Sequence, residues 1–217
     1  MDFESHGGTQ THLAPIFLQP SCGGREVARL CLEAGSMYHS NTTALLSYWR
    51  TLRGEAIAPA RRDLDLAMIK EVLTQVFMLG RMAPGEFHIR MAGGVVCDAH
   101  KLNLRGHAFA SLWAEDDRLQ VKIAMESMIR TGEPIVINCA ADAGPYASSL
   151  EILLAPMTSN TGEVDRVFGF FQPLLPLSVL HDRPIDQLTV SRITNGLFET
   201  PELPKLRLAA VSGRLIG

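Results

Sequence analysis

The sequence predicts an α+β domain: a five-stranded antiparallel sheet with helices on one face, preceded by one further helix. Two strongly helical stretches, residues 41–53 and 114–134, bracket two short segments that alternate apolar and polar residues. Three more alternating stretches then follow in succession, separated only by turn residues, which is the pattern of strands paired antiparallel. Hydrophobic residues make up 47% and charged residues 20% of the 217, so a core of ordinary size can form.

Residues 1–40 scatter Gly, Ser, Thr and His among few apolar side chains, with Pro15 and Pro20 interrupting. They are expected to be a poorly ordered arm, with one short helix over 25–35 where Val27, Leu30 and Ala34 share a face. Residues 41–53 form a stronger helix, capped by Asn41 or Thr42 and stopped by Gly54. Ala44, Leu45, Tyr48, Trp49 and Leu52 make one apolar stripe on it. Leu45, Tyr48, Trp49 and Leu52 are therefore the interface candidates, side chains that anchor either a core or an interface. After Pro59, residues 61–73 restart a helix with Asp63 and Asp65 near its positive end.

Residues 75–82 and 87–93 read as two strands joined by a turn at Pro84-Gly85. Strict alternation puts Phe87, Ile89 and Met91 on one face, with His88 and Arg90 on the other. Gly93-Gly94 ends the strand, and residues 95–103 coil through a short helical turn. In 114–134, Glu115, Asp116 and Asp117 crowd the helix N-terminus and Arg130 stands near its C-terminus, both favourable to the helix dipole. Val121, Ala124, Met125, Met128 and Ile129 form its buried stripe, and Gly132 and Pro134 end it. Strands follow over 134–140 and 146–157, joined by the turn Ala141-Asp142-Ala143-Gly144, and then over 166–172 before Pro173 and Pro176. Residues 177–217 hold several prolines and no long periodic segment, so an extended or partly helical tail is expected.

Net charge is −3 with no basic stripe, which argues against nucleic acid as the main partner. The four cysteines never form a Cys-x-x-Cys pair, so neither zinc ligation nor a disulfide framework is indicated. Free thiols suit a reducing compartment. The first residues lack a basic segment followed by an apolar one, and no apolar run approaches the ~18–20 residues that span a bilayer. The expectation is a cytoplasmic protein without membrane insertion.

Particular residues go further than the element order. Tyr48-Trp49 is followed by Pro59-Ala60-Arg61 and by Asp63 and Asp65. Arg90-Met91-Ala92-Gly93 then leads to Leu104-Arg105-Gly106 and to Leu112-Trp113 before the acidic helix start. Over residues 41–176 this resembles the alphaproteobacterial PAS-like family of the PAS_5 type, once catalogued only as a domain of unknown function. The resemblance implies a PAS-like fold and a non-catalytic sensory or interaction role in bacterial signalling. The partners it implies are histidine kinases or diguanylate cyclases, with homodimerisation through the sheet and the N-terminal helix. It also implies a space between sheet and helices that is either a filled core or a ligand-gated cavity.

Cofactor and enzyme motifs are weak. Haem sensors of the oxygen-sensing PAS type carry the axial histidine on the long helix, and residues 116–131 contain none. The flavin-reactive cysteine of light-oxygen-voltage sensors lies in an Asn-Cys-Arg-Phe-Leu segment, whereas Asn138-Cys139 here is followed by Ala140-Ala141. No cofactor is therefore expected. His181 to Pro184 lacks the helical hairpin of a phosphoacceptor histidine. Nucleophile elbow, P-loop and dinucleotide motifs are missing. Only Cys97 with His100 or His107 offers catalytic residue types, so enzymatic activity is not expected. Should a cavity exist, its candidate lining is Phe87, Ile89, Met91, Trp113 and Met125, with Ile152, Phe168 and Phe170 from the later strands; Phe77 and Leu154 belong to the same apolar set.

Overall fold

The structure is a computed structural model that describes residues 37–195, together with a two-residue ladder between Ala210–Val211 and Arg214–Leu215. The expected arm with its helix at 25–35, and most of the tail beyond 195, lie outside the described residues.

Helix α1 (Ser40–Arg53) is capped by His39, whose Nδ1 accepts the Asn41 N–H at 3.1 Å, rather than by Asn41 or Thr42. Arg61–Asp63 forms one 3₁₀ turn and Leu66–Gln75 a longer 3₁₀ segment, in place of the single helix expected over 61–73. Ile69 departs from helical geometry and is the one fully buried residue of the longer segment, so the kink drives its side chain under α1. Strands β1 (Val76–Ala83) and β2 (Glu86–Ala92) come next. Helix α2 (Gly94–His100), a 3₁₀ turn at Phe109–Leu112 and helix α3 (Arg118–Thr131) then cross the sheet. Strands β3 (Ile135–Ala143), β4 (Tyr146–Thr158), β5 (Val164–Pro173) and β6 (Gln187–Asn195) complete the described chain.

The main sheet has the order β2-β1-β5-β4-β3-β6, every neighbour antiparallel. The α+β class holds, but there are six strands rather than five, because part of the expected tail adds to the edge as β6. The pattern of β6 is hard to read for a local reason. Leu188, Val190 and Ile193 oppose Ala141, Cys139 and Ile137, and a register shift at Ser191 changes the phase between the second and third. The acidic head of α3 anchors this strand, since Asp117 Oδ2 accepts the Val190 N–H at 2.7 Å.

The sheet carries a core on each face. The inner face is covered by α2, the Phe109–Leu112 turn and α3, with Phe77, Leu79, Ile89, Ile137, Ile152, Val167 and Phe171 pointing toward them. The outer face is crossed by α1, where Leu45, Leu46 and Trp49 pack on Val136, Leu153, Ala155, Phe168 and Phe170. Burying each of these α1 side chains stabilises by about 1.5–3 kcal/mol, an upper range because the denatured chain already hides part of that surface. The Trp49 indole also donates to Pro156 O at 2.9 Å.

Gly132 (φ 71) stops α3 where a Cβ would lie 2.4 Å from Ile57 O, and the Arg53–Glu133 ion pair closes the same corner at 3.0 Å. The ends of α1 and α3 are thereby tied to each other around the sheet.

Candidate functional site

Two concave features stand out among the described residues, one on each side of the sheet. The inner one lies where β1, β2, β4, β5 and β6 meet α2. Phe77, Ile89, Val96, His100, Phe109, Ile152, Phe171 and Leu188 converge there on a space of about 10 Å³. That is room for a single water at most, against roughly 300 Å³ or more for a pocket that holds a ligand. The rings close it: Phe77 stacks on Phe109 at 5.7 Å, and Phe109 meets Trp113 edge-on at 5.9 Å. Phe77 lies over Gly169, where any Cβ would come within 2.1 Å of the ring.

His100 is the polar member of this lining. Its Nδ1 lies 3.0 Å from Val96 O, and because a carbonyl only accepts, Nδ1 is the donor. Nε2 then carries the lone pair, buried without a partner among the described residues. Burial pushes the imidazole pKa below its ordinary value, partly opposed by the Val96 hydrogen bond, so the ring is held neutral.

Five of the eight lining candidates lie on the inner face. Phe87, Ile89, Trp113, Met125 and Ile152 are all buried there, though only Ile89 and Ile152 border the space itself. Three candidates require correction. Phe168 and Phe170 point to the outer face beneath α1, because β5 alternates with Val167, Gly169 and Phe171 inward. Met91 also faces outward and is 44% exposed. The register runs Met78↔Met91 and then Leu79↔Ile89, so Arg90 is an inserted bulge residue that flips the alternation after Ile89. Arg90 is exposed on the outer face, as expected, with Nη2 2.9 Å from Met82 Sδ. Phe109, Phe171, Val96, Leu188 and His100 were not among the expected lining. The glycine at 169 marks the inward phase of β5 and was the available signal for Phe171.

The cysteine and remaining histidines are placed apart from any shared chemistry. Cys97 Sγ approaches Ala92 O at 3.9 Å, and among the described residues no hydrogen bond joins Cys97 to His100. Cys139 is buried on the inner face of β3, where burial pushes its thiol pKa well up. His88 Nδ1 lies 3.0 Å from Gly106 O at the sheet edge. The described residues hold no group of three or more His, Cys, Asp or Glu suited to a metal ion. They also hold no helix long and apolar enough to cross a membrane.

The outer feature is a groove of about 390 Å³ between α1 and the Leu66–Gln75 segment. Asn41, Ala44, Leu45 and Tyr48 form one wall, and Ala67, Met68, Ile69, Lys70, Glu71 and Val72 the other. Tyr48 Oη bridges the two, accepting the Asp65 N–H at 2.8 Å and donating to Asp65 O at 3.3 Å. Met68 in the second wall is 69% exposed, and Leu66, two residues before it in the chain, is 51% exposed. Of the interface candidates, Leu45 and Trp49 are buried against the chain's own sheet, and Tyr48 and Leu52 are half-buried. The buried part of the stripe, Leu45 and Trp49, packs on the chain's own sheet.

A PAS domain family model matches residues 37–172. No curated protein matches the chain. Among solved structures, the Rhodobacter sphaeroides LOV protein is similar at TM-score 0.40 and 11% identity, over 52% of this chain and 70% of that one. An RNA-binding Light-Oxygen-Voltage receptor is similar at TM-score 0.41 and 16% identity, over 58% and 38%. A Vibrio cholera VqmA–ligand–DNA complex is similar at TM-score 0.37 and 11% identity, over 51% of each. The chain thus spans well under two thirds of the latter two proteins.

Proposed function

Since the chain belongs to the PAS domain family, we infer that it is a non-catalytic interaction module that regulates bacterial signalling by protein–protein contact and homodimerisation in the cytoplasm. The observation that carries this reading is the closed inner face. A space of about 10 Å³ among the inner-face rings supports signalling through the surface rather than through a bound ligand. Histidine kinases and diguanylate cyclases are the partner classes proposed, being the enzymes PAS modules commonly serve. The test is native mass spectrometry and absorption spectroscopy of the purified full chain, followed by its addition to a kinase or cyclase of the same cell. The expected result is a ligand-free protein that changes the enzyme's rate. A stoichiometric small molecule carried through purification would overturn it.

A second reading is a ligand-gated sensor, favoured by one observation. The bare Nε2 of His100 is a buried acceptor at the edge of the inner space. A small apolar molecule with one O–H or N–H could satisfy it if Phe109 and Phe171 moved apart.

A further inference from the structure

We propose that Arg90 and Arg166, side by side over Gly80 on the outer face of the sheet, form a carboxylate-binding site at which an acidic segment of a partner protein docks. The proposal rests on the interaction reading above and names the place and the chemistry of the contact.

Gly80 in β1 opposes His88 of β2 on one side and Arg166 of β5 on the other, so the three stand in one row across the sheet. Leu79, Phe87, Ile89 and Val167 flank that row and point inward, which turns the row itself outward. The bulge at Arg90 brings a second arginine to it. A Cβ on Gly80 would lie 2.7 Å from Arg90 Nε, 3.3 Å from Arg90 Cγ and 3.5 Å from Arg166 Nη1. The bare backbone of Gly80 is therefore the bed on which the Arg90 side chain lies, with the Arg166 guanidinium beside it.

The two cations are unequally matched. Arg166 Nη1 donates to Asp165 Oδ2 at 2.8 Å. Arg90 forms no ion pair among the described residues, and its hydrogen bond goes to Met82 Sδ, a weak acceptor. Glu86, two residues before His88 on β2, forms no ion pair among them either. A guanidinium held in place with most of its donors unmatched suits a carboxylate, which it grips through two parallel hydrogen bonds. Met82 touches Arg90 and Met91 follows it in the chain, and they are 55% and 44% exposed. Such adaptable apolar surface beside the charge favours a segment with an apolar side chain between its carboxylates over free phosphate.

The experiment is fluorescence anisotropy of the full chain with a fluorescein-labelled peptide that has a Glu-Leu-Glu core, at low ionic strength. The wild type is expected to bind it, and Arg90→Ala to weaken binding about tenfold with an unchanged circular dichroism melt. Arg90→Lys should fall between the two, because the charge stays and the fork is lost. Gly80→Ala is expected to weaken binding as well. The atoms its Cβ meets belong to the flexible Arg90 side chain, so the fold absorbs the change while the guanidinium is displaced. A Gln-Leu-Gln peptide should not bind. A wild-type chain indifferent to the acidic peptide, or one that binds the glutamine peptide equally, overturns the site and leaves the ligand-free interaction reading standing. Inorganic phosphate binding at Arg90 without the acidic peptide binding also overturns it. A small molecule carried through purification overturns the ligand-free reading and leaves this site standing.

Discussion

Glu151, 3% exposed in the middle of the sheet's outer face, receives the backbone N–H of His39 on both carboxylate oxygens, at 3.1 and 3.0 Å. The contact sits one residue before α1 and sets where that helix lands. Its neighbour across the ladder, Gln172, accepts from the Asn41 side chain at 3.0 Å. A buried carboxylate at a helix N-terminus is stabilised by the helix dipole and strands the His39 N–H if removed.

Glu151→Ala is therefore expected to destabilise the fold by about 1–3 kcal/mol, with Glu151→Gln costing less because an amide oxygen still accepts. Urea denaturation followed by circular dichroism measures it, and an unchanged midpoint would remove Glu151 from the anchoring of α1.

Gly169→Ala places a Cβ within 2.1 Å of the Phe77 ring. The expected loss is about 1–3 kcal/mol from overpacking. Phe77→Leu should cost stability in the wild type but much less beside Gly169→Ala, so a double-mutant cycle should show positive coupling. Additive losses would mean the clash is relieved elsewhere.

His100 links stability to pH. Its folded pKa lies below the ordinary value near 6.5, so the unfolded chain binds the proton first as pH falls. Stability should be complete above about pH 6.5 and decline below it, until the folded ring also protonates. His100→Leu should flatten this part of the profile between pH 7 and 5. Denaturation midpoints over that range measure the difference, and parallel profiles for the two proteins would contradict it.

Cys139 should resist alkylation in the native state, since it is 3% exposed and its thiol is held protonated. Iodoacetamide labelling read by peptide mass spectrometry should modify Cys97 before Cys139, which reacts only in denaturant. Early labelling of Cys139 would show that β3 opens.

The candidate site was legible where local pattern and global position agree. Ile89, Met125 and Ile152 lie where their periodicity places them, on the inner face. Met91 does not, because the bulge at Arg90 is specified by pairing with β1 rather than by β2 itself. Phe168 and Phe170 alternate correctly, but a strand apolar on both faces leaves the choice of face open. That choice follows from Gly169 opposing Phe77.

The sequence by itself determined the class of fold, the order of β1 to β5, helices α1 and α3 and the PAS resemblance, all of which depend on short-range periodicity and turn chemistry. Only the tertiary structure decided that β6 joins the sheet, that the inner space closes, and that α1 spends Leu45 and Trp49 on its own chain. Each of these depends on contacts between residues far apart in sequence, such as Trp113 with Leu188 and Trp49 with Pro156. The free energy of such contacts is realised only once both partners are already in place.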